Sequence, residues 1–175
     1  MRFKKFIATA VIAAGILGGS GAALAQATAN TSASGSATII RPITISKTAD
    51  LQFGRVVLPS TGSATVTIAN TADSISTGTA VALSGITTSR GKFTISGESA
   101  QAINITVGTL SMSGPSASTL AVTLSPDQVS GAALSGATIG SAGSLTLNVG
   151  GSFALPSTQT TGVYTGTFTV NVGYQ

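Results

Sequence analysis

Histidine, cysteine and tryptophan are missing from all 175 residues, and charged side chains make up only 7% of them. Each absence removes a class of chemistry. Without imidazole or thiol there is no histidine general base, no cysteine nucleophile and no nitrogen- or sulfur-ligated zinc or copper site. The four acids (Asp50, Asp73, Glu98, Asp127) stand apart with no Asp-x-Asp-x-Asp spacing. That argues against a dedicated calcium loop and against the carboxylate pair of a glycosidase. The many serines include no Gly-x-Ser-x-Gly elbow. The expectation is a protein that is not an enzyme and carries no cofactor or metal.

The first 25 residues read as a secretory signal. A cationic start (Arg2, Lys4, Lys5) leads into an apolar run from Phe6 to Leu17, and Ala23-Leu24-Ala25 supplies the small-x-small cleavage pattern. Cutting there leaves five cations (Arg41, Lys47, Arg55, Arg90, Lys92) against four acids. The pI near 10.0 therefore belongs mostly to the removed segment. Five scattered cations form no basic face for nucleic acid; Arg41, Arg90 and Lys92 read as solvated edge charges. No later run reaches the ~18–20 apolar residues of a membrane helix, so no membrane span is expected after residue 25. A cysteine-free chain in an oxidising compartment must hold its fold without disulfides.

Threonine and serine are abundant: 26 Thr and 23 Ser fill 49 of the 150 positions after residue 25. Val, Ile and Leu alternate with them over short stretches, the period-2 pattern of half-buried strands, and Thr suits the outer face of a sheet. Gln26–Ser36 lacks such periodicity and reads as a flexible lead-in to one domain over residues 37–175. Strands are expected at Ala37–Ser46, Leu51–Val57, Ser63–Ala69, Ala80–Leu83, Lys92–Ser96, Ile103–Val107 and Leu120–Leu124. Two more are expected around Leu145–Val149 and Phe153–Leu155. In the first, Ile39, Ile43 and Ile45 share a face with Arg41, and Pro42 confines it to an edge. Turn clusters such as Pro59-Ser60-Thr61-Gly62, Ser113-Gly114-Pro115 and Gly150-Gly151 separate the strands. The single helical competitor is a turn at Ser125–Leu134. This is the pattern of an all-β, antiparallel two-sheet sandwich.

The final segment is the strongest signal. From Tyr164 to Tyr174 the even positions are Tyr, Gly, Phe, Val, Val and Tyr, and the odd ones Thr, Thr, Thr, Asn and Gly. Eleven alternating residues are about twice the usual strand length. A long amphipathic strand of this kind is either a plain core strand or an assembly strand that takes a partner along its edge.

Leu51-Gln52-Phe53-Gly54 after an N-terminal strand, together with the ending from Gly162 to Gln175, resembles an uncharacterised family of secreted proteobacterial β-domains. That family is similar to the spore-coat-U-like pilins of archaic chaperone–usher fimbriae. The resemblance spans about residues 37–175, and only its two ends are motif-like. It implies an immunoglobulin-like sandwich that is incomplete and is completed by a donor strand. On that pattern Gly162, Tyr164, Phe168, Val170, Val172 and Tyr174 belong to the assembly strand beside an open groove, and Ile39, Ile43 and Ile45 are donor anchors. The implied partners are a periplasmic chaperone, an outer-membrane usher and identical or related subunits, with export through the periplasm to a surface fimbrium. The cysteine pair of many pilins is absent, and Arg41-Pro42 interrupts the donor pattern. Ala37–Ser46 could therefore equally be the first strand of a self-complete secreted sandwich that acts as a coat or adhesive module. A small outer-membrane barrel ranks lower, because four Phe and two Tyr after residue 25 are too few for aromatic girdles.

Overall fold

The computed structural model of the chain describes residues 28–128 and 135–175. The expected signal at residues 1–25 lies outside them. Residues 28–43 carry no regular secondary structure, and the compact unit runs from Thr38 to Gln175. Its described strands are β1 (Thr44–Ala49), β2 (Val56–Val57), β3 (Ser63–Ile68), β4 (Ile75–Ser76), β5 (Val81–Ala82) and β6 (Gly91–Ser96). They continue with β7 (Ala102–Val107), β8 (Leu110–Ser113), β9 (Thr119–Pro126), β10 (Ser135–Thr138), β11 (Ser144–Pro156) and β12 (Val170–Tyr174). The only helical element among the described residues is a 3-10 turn at Pro115–Ala117. No helix among them is long and apolar enough to cross a membrane.

All pairings are antiparallel. The larger sheet has the order β1-β6-β11-β3-β4, with β9 also on β11 and β8 on β9; the smaller has the order β10-β7-β12. A short ribbon pairs β2 with β5. The chain is an all-β sandwich, as the alternation of its residues requires.

β11 is the spine. The expected strands around Leu145–Val149 and Phe153–Leu155 are one strand of 13 residues, and Gly150-Gly151 is not a turn. Ser144–Val149 pairs with β6, and Gly151–Pro156 pairs with β3. At the changeover a Cβ on Gly150 would collide with the Ile68 carbonyl oxygen, so glycine lets one strand pass from one partner to the next. Each half of β11 serves its own core. Leu147 and Val149 pack with Ile95, Ile103, Ile105 and Ile139, all fully or almost fully buried. Phe153 and Leu155 pack with Val66, Leu110, Leu120 and Val122. Burying each such side chain stabilises the fold by about 1.5–3 kcal/mol, which lets it stand without a disulfide.

Other boundaries moved. The first strand begins at Thr44 instead of Ala37 and lies at the edge of the larger sheet, so Pro42 precedes it and leaves its ladder intact. Of Leu51–Val57 only Val56–Val57 is strand, with Gln52 in a lone bridge to Ser89. The strands at β4, β8 and β10 were not foreseen. Ser125 and Pro126 close β9, and residues 129–134 of the expected helical turn lie outside the described set. Arg90 and Lys92 are not free edge charges. Lys92 Nζ donates to Asp73 Oδ2 at 2.7 Å, and Arg90 Nη1 donates to the Asn70 carbonyl at 2.8 Å.

Candidate assembly groove

The site is built on the segment that follows β11. Its entry is set by Gly162, whose φ of +150° and position over the Pro115 ring leave no room for a Cβ. Tyr164 is pinned next: its hydroxyl donates to the Thr160 carbonyl at 2.7 Å and accepts from Gln159 Nε2 at 2.7 Å, with Ser118 Oγ 2.7 Å away. From there the chain runs antiparallel to β8 and β7. Thr165 and Ser113 exchange both backbone hydrogen bonds (3.0 and 2.8 Å), and the Gly108 N–H donates to the Thr169 carbonyl at 2.8 Å. β12 then pairs with β7 from Val170↔Val107 to Tyr174↔Ile103.

The expected eleven-residue strand is thus only half ladder. Five residues on the β7–β8 side separate Val107 from Ser113, whereas four separate Thr165 from Val170. The extra residue makes a bulge near Gly108-Thr109 and interrupts regular pairing. Thr165 and Thr169 direct backbone groups at β8 and β7, while Thr167 between them makes no backbone bond among the described residues; alternation turns the backbone groups of the even residues toward the opposite edge. Among the described residues, the backbone groups of Tyr164, Gly166 and Phe168 have no backbone partner.

That edge borders a groove of about 880 Å³, whose other wall is the segment from Lys47 to Leu58. Leu110, Met112, Leu120, Phe153 and Leu155 form its floor. Leu51 and Phe53 line the wall, with Phe53 edge-on to Phe153 at 4.9 Å. Phe168, edge-on to Phe93 at 6.0 Å, marks the boundary between the open half and the closed one. Val57, Leu83, Ile86 and Val163 remain exposed, the last at 79%. The Lys47–Asp50 ion pair on the rim is exposed and contributes little.

Gly162, Tyr164 and Phe168 line the groove, whereas Val170, Val172 and Tyr174 are not among its lining residues. These three pack against the second core cluster. At that pole the sandwich is closed by Tyr174, whose hydroxyl accepts the Glu98 N–H at 2.7 Å and donates to the Arg41 carbonyl at 2.8 Å. The Arg41 N–H in turn donates to Glu98 Oε2 at 3.2 Å. The three isoleucines divide as well. Ile43 packs against the second cluster of its own chain, Ile39 is 94% exposed and Ile45 is 39% exposed.

Sequence reasoning missed Met112 and Leu110, whose two-residue alternation ends at once in Ser113-Gly114-Pro115. It also missed that Leu51 and Phe53 line a wall without belonging to a ladder. Away from the groove, the Lys92 ammonium and the Arg90 N–H hold the Asp73 carboxyl below its ordinary value of 3.8.

A family model described as a domain of unknown function (DUF4402) matches residues 43–174. The chain belongs to that family. No curated protein and no solved structure matches it. The DUF4402 match takes in the whole of β1, both walls of the groove and the closed pole at Tyr174. It leaves Ile39 outside.

Proposed function

We propose that the chain is an exported structural subunit of a fimbria-like surface polymer, assembled by β-strand complementation. A strand from a neighbour adds to the edge at Tyr164–Phe168 and lays alternate side chains into the groove, the usual mode of strand addition. One observation carries this reading: among the described residues, the backbone of Tyr164, Gly166 and Phe168 has no backbone partner and borders an apolar groove that the described strands leave open. An edge of open backbone beside an apolar groove is a template for pairing with another chain, and a neighbour's strand supplies both hydrogen bonds and cover. Before assembly the same exposed surface calls for a periplasmic chaperone that lends a strand, and an outer-membrane usher then brings subunits together. The implied relation to spore-coat-U-like pilins belongs to this proposal.

A second reading, a self-complete secreted sandwich acting as a coat or adhesive module, draws support from β1, which pairs with β6 of its own chain. That pairing caps the edge of β6 and leaves the groove uncovered, so polymer assembly is preferred. Sedimentation of the chain from Gln26 onward, over a range of concentrations, tests the choice. The polymer reading expects concentration-dependent oligomers. A monomer at every concentration that also ignores an added peptide of residues 28–46 favours the lone module.

A further inference from the structure

We infer that Asp73 is a positioning residue for the groove: its side chain takes over from β11 at the point where that strand parts from β6, and so fixes residues 88–90, which carry the wall at Leu51 and Phe53. The inference rests on the polymer reading for what the groove does and adds what holds its wall in place.

The sheet creates the need. β6 lies beside β11 only as far as Gly91, which pairs with Val149. From Gly151 onward the same edge of β11 is taken by β3, so residues 88–90 have none of the described strands on that side. Their other side is occupied: Ala49 pairs with Lys92, and Gln52 bridges Ser89 in the same register. Successive residues of an extended chain turn their backbone groups to opposite edges. The Arg90 N–H therefore points away from the wall, into the place that β11 has left. Asp73, in the loop that follows β3, accepts that N–H on Oδ1 at 3.1 Å.

The same carboxylate gathers two cations. Oδ2 accepts from Lys92 Nζ at 2.7 Å, and Oδ1 lies 3.5 Å from Arg90 Nε. That nitrogen is shielded from solvent and has no hydrogen-bond acceptor among the described residues. Asp73 is its counter-charge, and removing one partner of such a pair leaves the other uncompensated. The backbone completes the grip: the Asp73 carbonyl accepts from Thr88 Oγ1 at 2.6 Å, and the Asn70 carbonyl from Arg90 Nη1 at 2.8 Å. Among the described residues, Lys92 and Arg90 are the charged groups that bear on Asp73. Lys47 and Asp50 pair with each other at 2.6 Å on the far side of residues 88–90, and Asp127 is bound to Asn148.

Residues 88–90 hand this support on to the groove. Ser89 Oγ donates to the Asp50 carbonyl at 2.6 Å, and Gln52 and Ser89 exchange backbone bonds at 2.7 and 3.0 Å. Leu51 and Phe53, on either side of Gln52, line the groove and pack on the first core cluster. Thr88 sits so close to Gly54 that a Cβ there would meet its methyl carbon at 3.0 Å. The chain between β1 and β2 has no ladder of its own, so these ties decide how far the wall stands from the edge at Tyr164 and Phe168. An incoming strand needs the edge for its backbone and the groove for its side chains.

The test compares two carboxylates by hydrogen exchange on the single subunit and by sedimentation. Asp73→Ala removes the support. Asp127→Ala is the control: that carboxylate accepts from the Asn148 N–H at 2.9 Å and Nδ2 at 2.6 Å and, among the described residues, makes no bond to the wall. In Asp73→Ala the Gln52 and Ser89 amides are expected to exchange about tenfold faster, with β7 and β11 little changed, and assembly should need a several-fold higher concentration. In Asp127→Ala those two amides should keep their protection. The unaltered chain should also lose protection there as the pH falls below 3.8 and through the lowered value of Asp73, and Asp73→Asn should not show that fall. Unchanged amides in Asp73→Ala, equal acceleration in Asp127→Ala, or a fall that persists in Asp73→Asn (which would belong to Asp50) each overturn the inference. So does a loosened Gln52–Ser89 bridge with assembly unmoved. Failure of the unaltered chain to assemble at any concentration, with the amides behaving as expected, overturns the polymer reading and leaves Asp73 as the support of the wall.

Discussion

Replacing Tyr174 with phenylalanine removes one oxygen and leaves the ring, which packs with Val170 and Val172 against the closed core. The lost hydroxyl serves two partners, the Glu98 N–H and the Arg41 carbonyl. A net hydrogen bond contributes about 0.5–1.5 kcal/mol. Because the site is only partly buried, water recovers some of that, and the expected cost is about 1–2 kcal/mol. The effect is local. The hydroxyl ties the backbone at Arg41, just before β1, to the Glu98 turn, so the energy is lost from the opening of β1 more than from the core. A cost of that size raises the open population roughly 5- to 30-fold. Hydrogen exchange read residue by residue should show β1 amides speeding up by that factor while β7 and β11 amides change little. An unchanged β1, or a uniform acceleration across every strand, would refute the claim that Tyr174 acts as a local clasp.

Other perturbations separate core from groove. Leu147→Ala removes a fully buried side chain and should lower unfolding stability by about 2–5 kcal/mol, whereas Met112→Ala, on the groove floor, should cost well under half as much in the monomer and weaken assembly instead; denaturant titration and sedimentation report the two. Gly162→Ala forces a side chain into a positive-φ position against Pro115 and should cost about 1–3 kcal/mol in thermal or chemical melts; a neutral effect would mean the turn at 162 does not set the entry to the groove. Asp73 titrates below 3.8 when folded because Lys92 and the Arg90 N–H favour its charged form. Its contribution is complete above pH 3.8 and disappears as the pH falls through the lowered value. Asp73→Asn should therefore flatten that part of the acid limb, and an unaltered limb would show that the cluster is not linked to folding.

Much of the fold was legible because the alternation of Val, Ile and Leu with Thr and Ser is strict wherever one face meets a core. Ser63–Ile68 and Ala102–Val107 were placed within a residue for that reason. Legibility failed where partner geometry, not pattern, decides. Gly150-Gly151 looks like a turn in one dimension and is a close strand crossing in three. Ala37–Pro42 has strand-like composition, but none of the described strands pairs with it, and the ladder starts only where Ser96 is available at Thr44. The residues of the expected assembly strand divide between two places. Gly162, Tyr164 and Phe168 reach the groove, while the alternation continues without interruption into Val170–Tyr174, which faces a sealed core. Periodicity identifies an inward face and is blind to whether that interior is full. The far wall of the groove was hidden for a related reason: Leu51 and Phe53 contribute side chains from a segment that pairs with nothing regular.

The central claim is that the groove beside Tyr164–Phe168 is covered by residues of another copy. The cysteine-free background allows a direct measurement. Chains carrying Thr38→Cys in one isotopic label and Val163→Cys in another are mixed, oxidised and analysed by mass spectrometry, with Ser141→Cys as a control for random collision. The account predicts a mixed-label disulfide between positions 38 and 163 well above the control. If that bond forms no more often than the control, the groove is not filled by a neighbour in the proposed way.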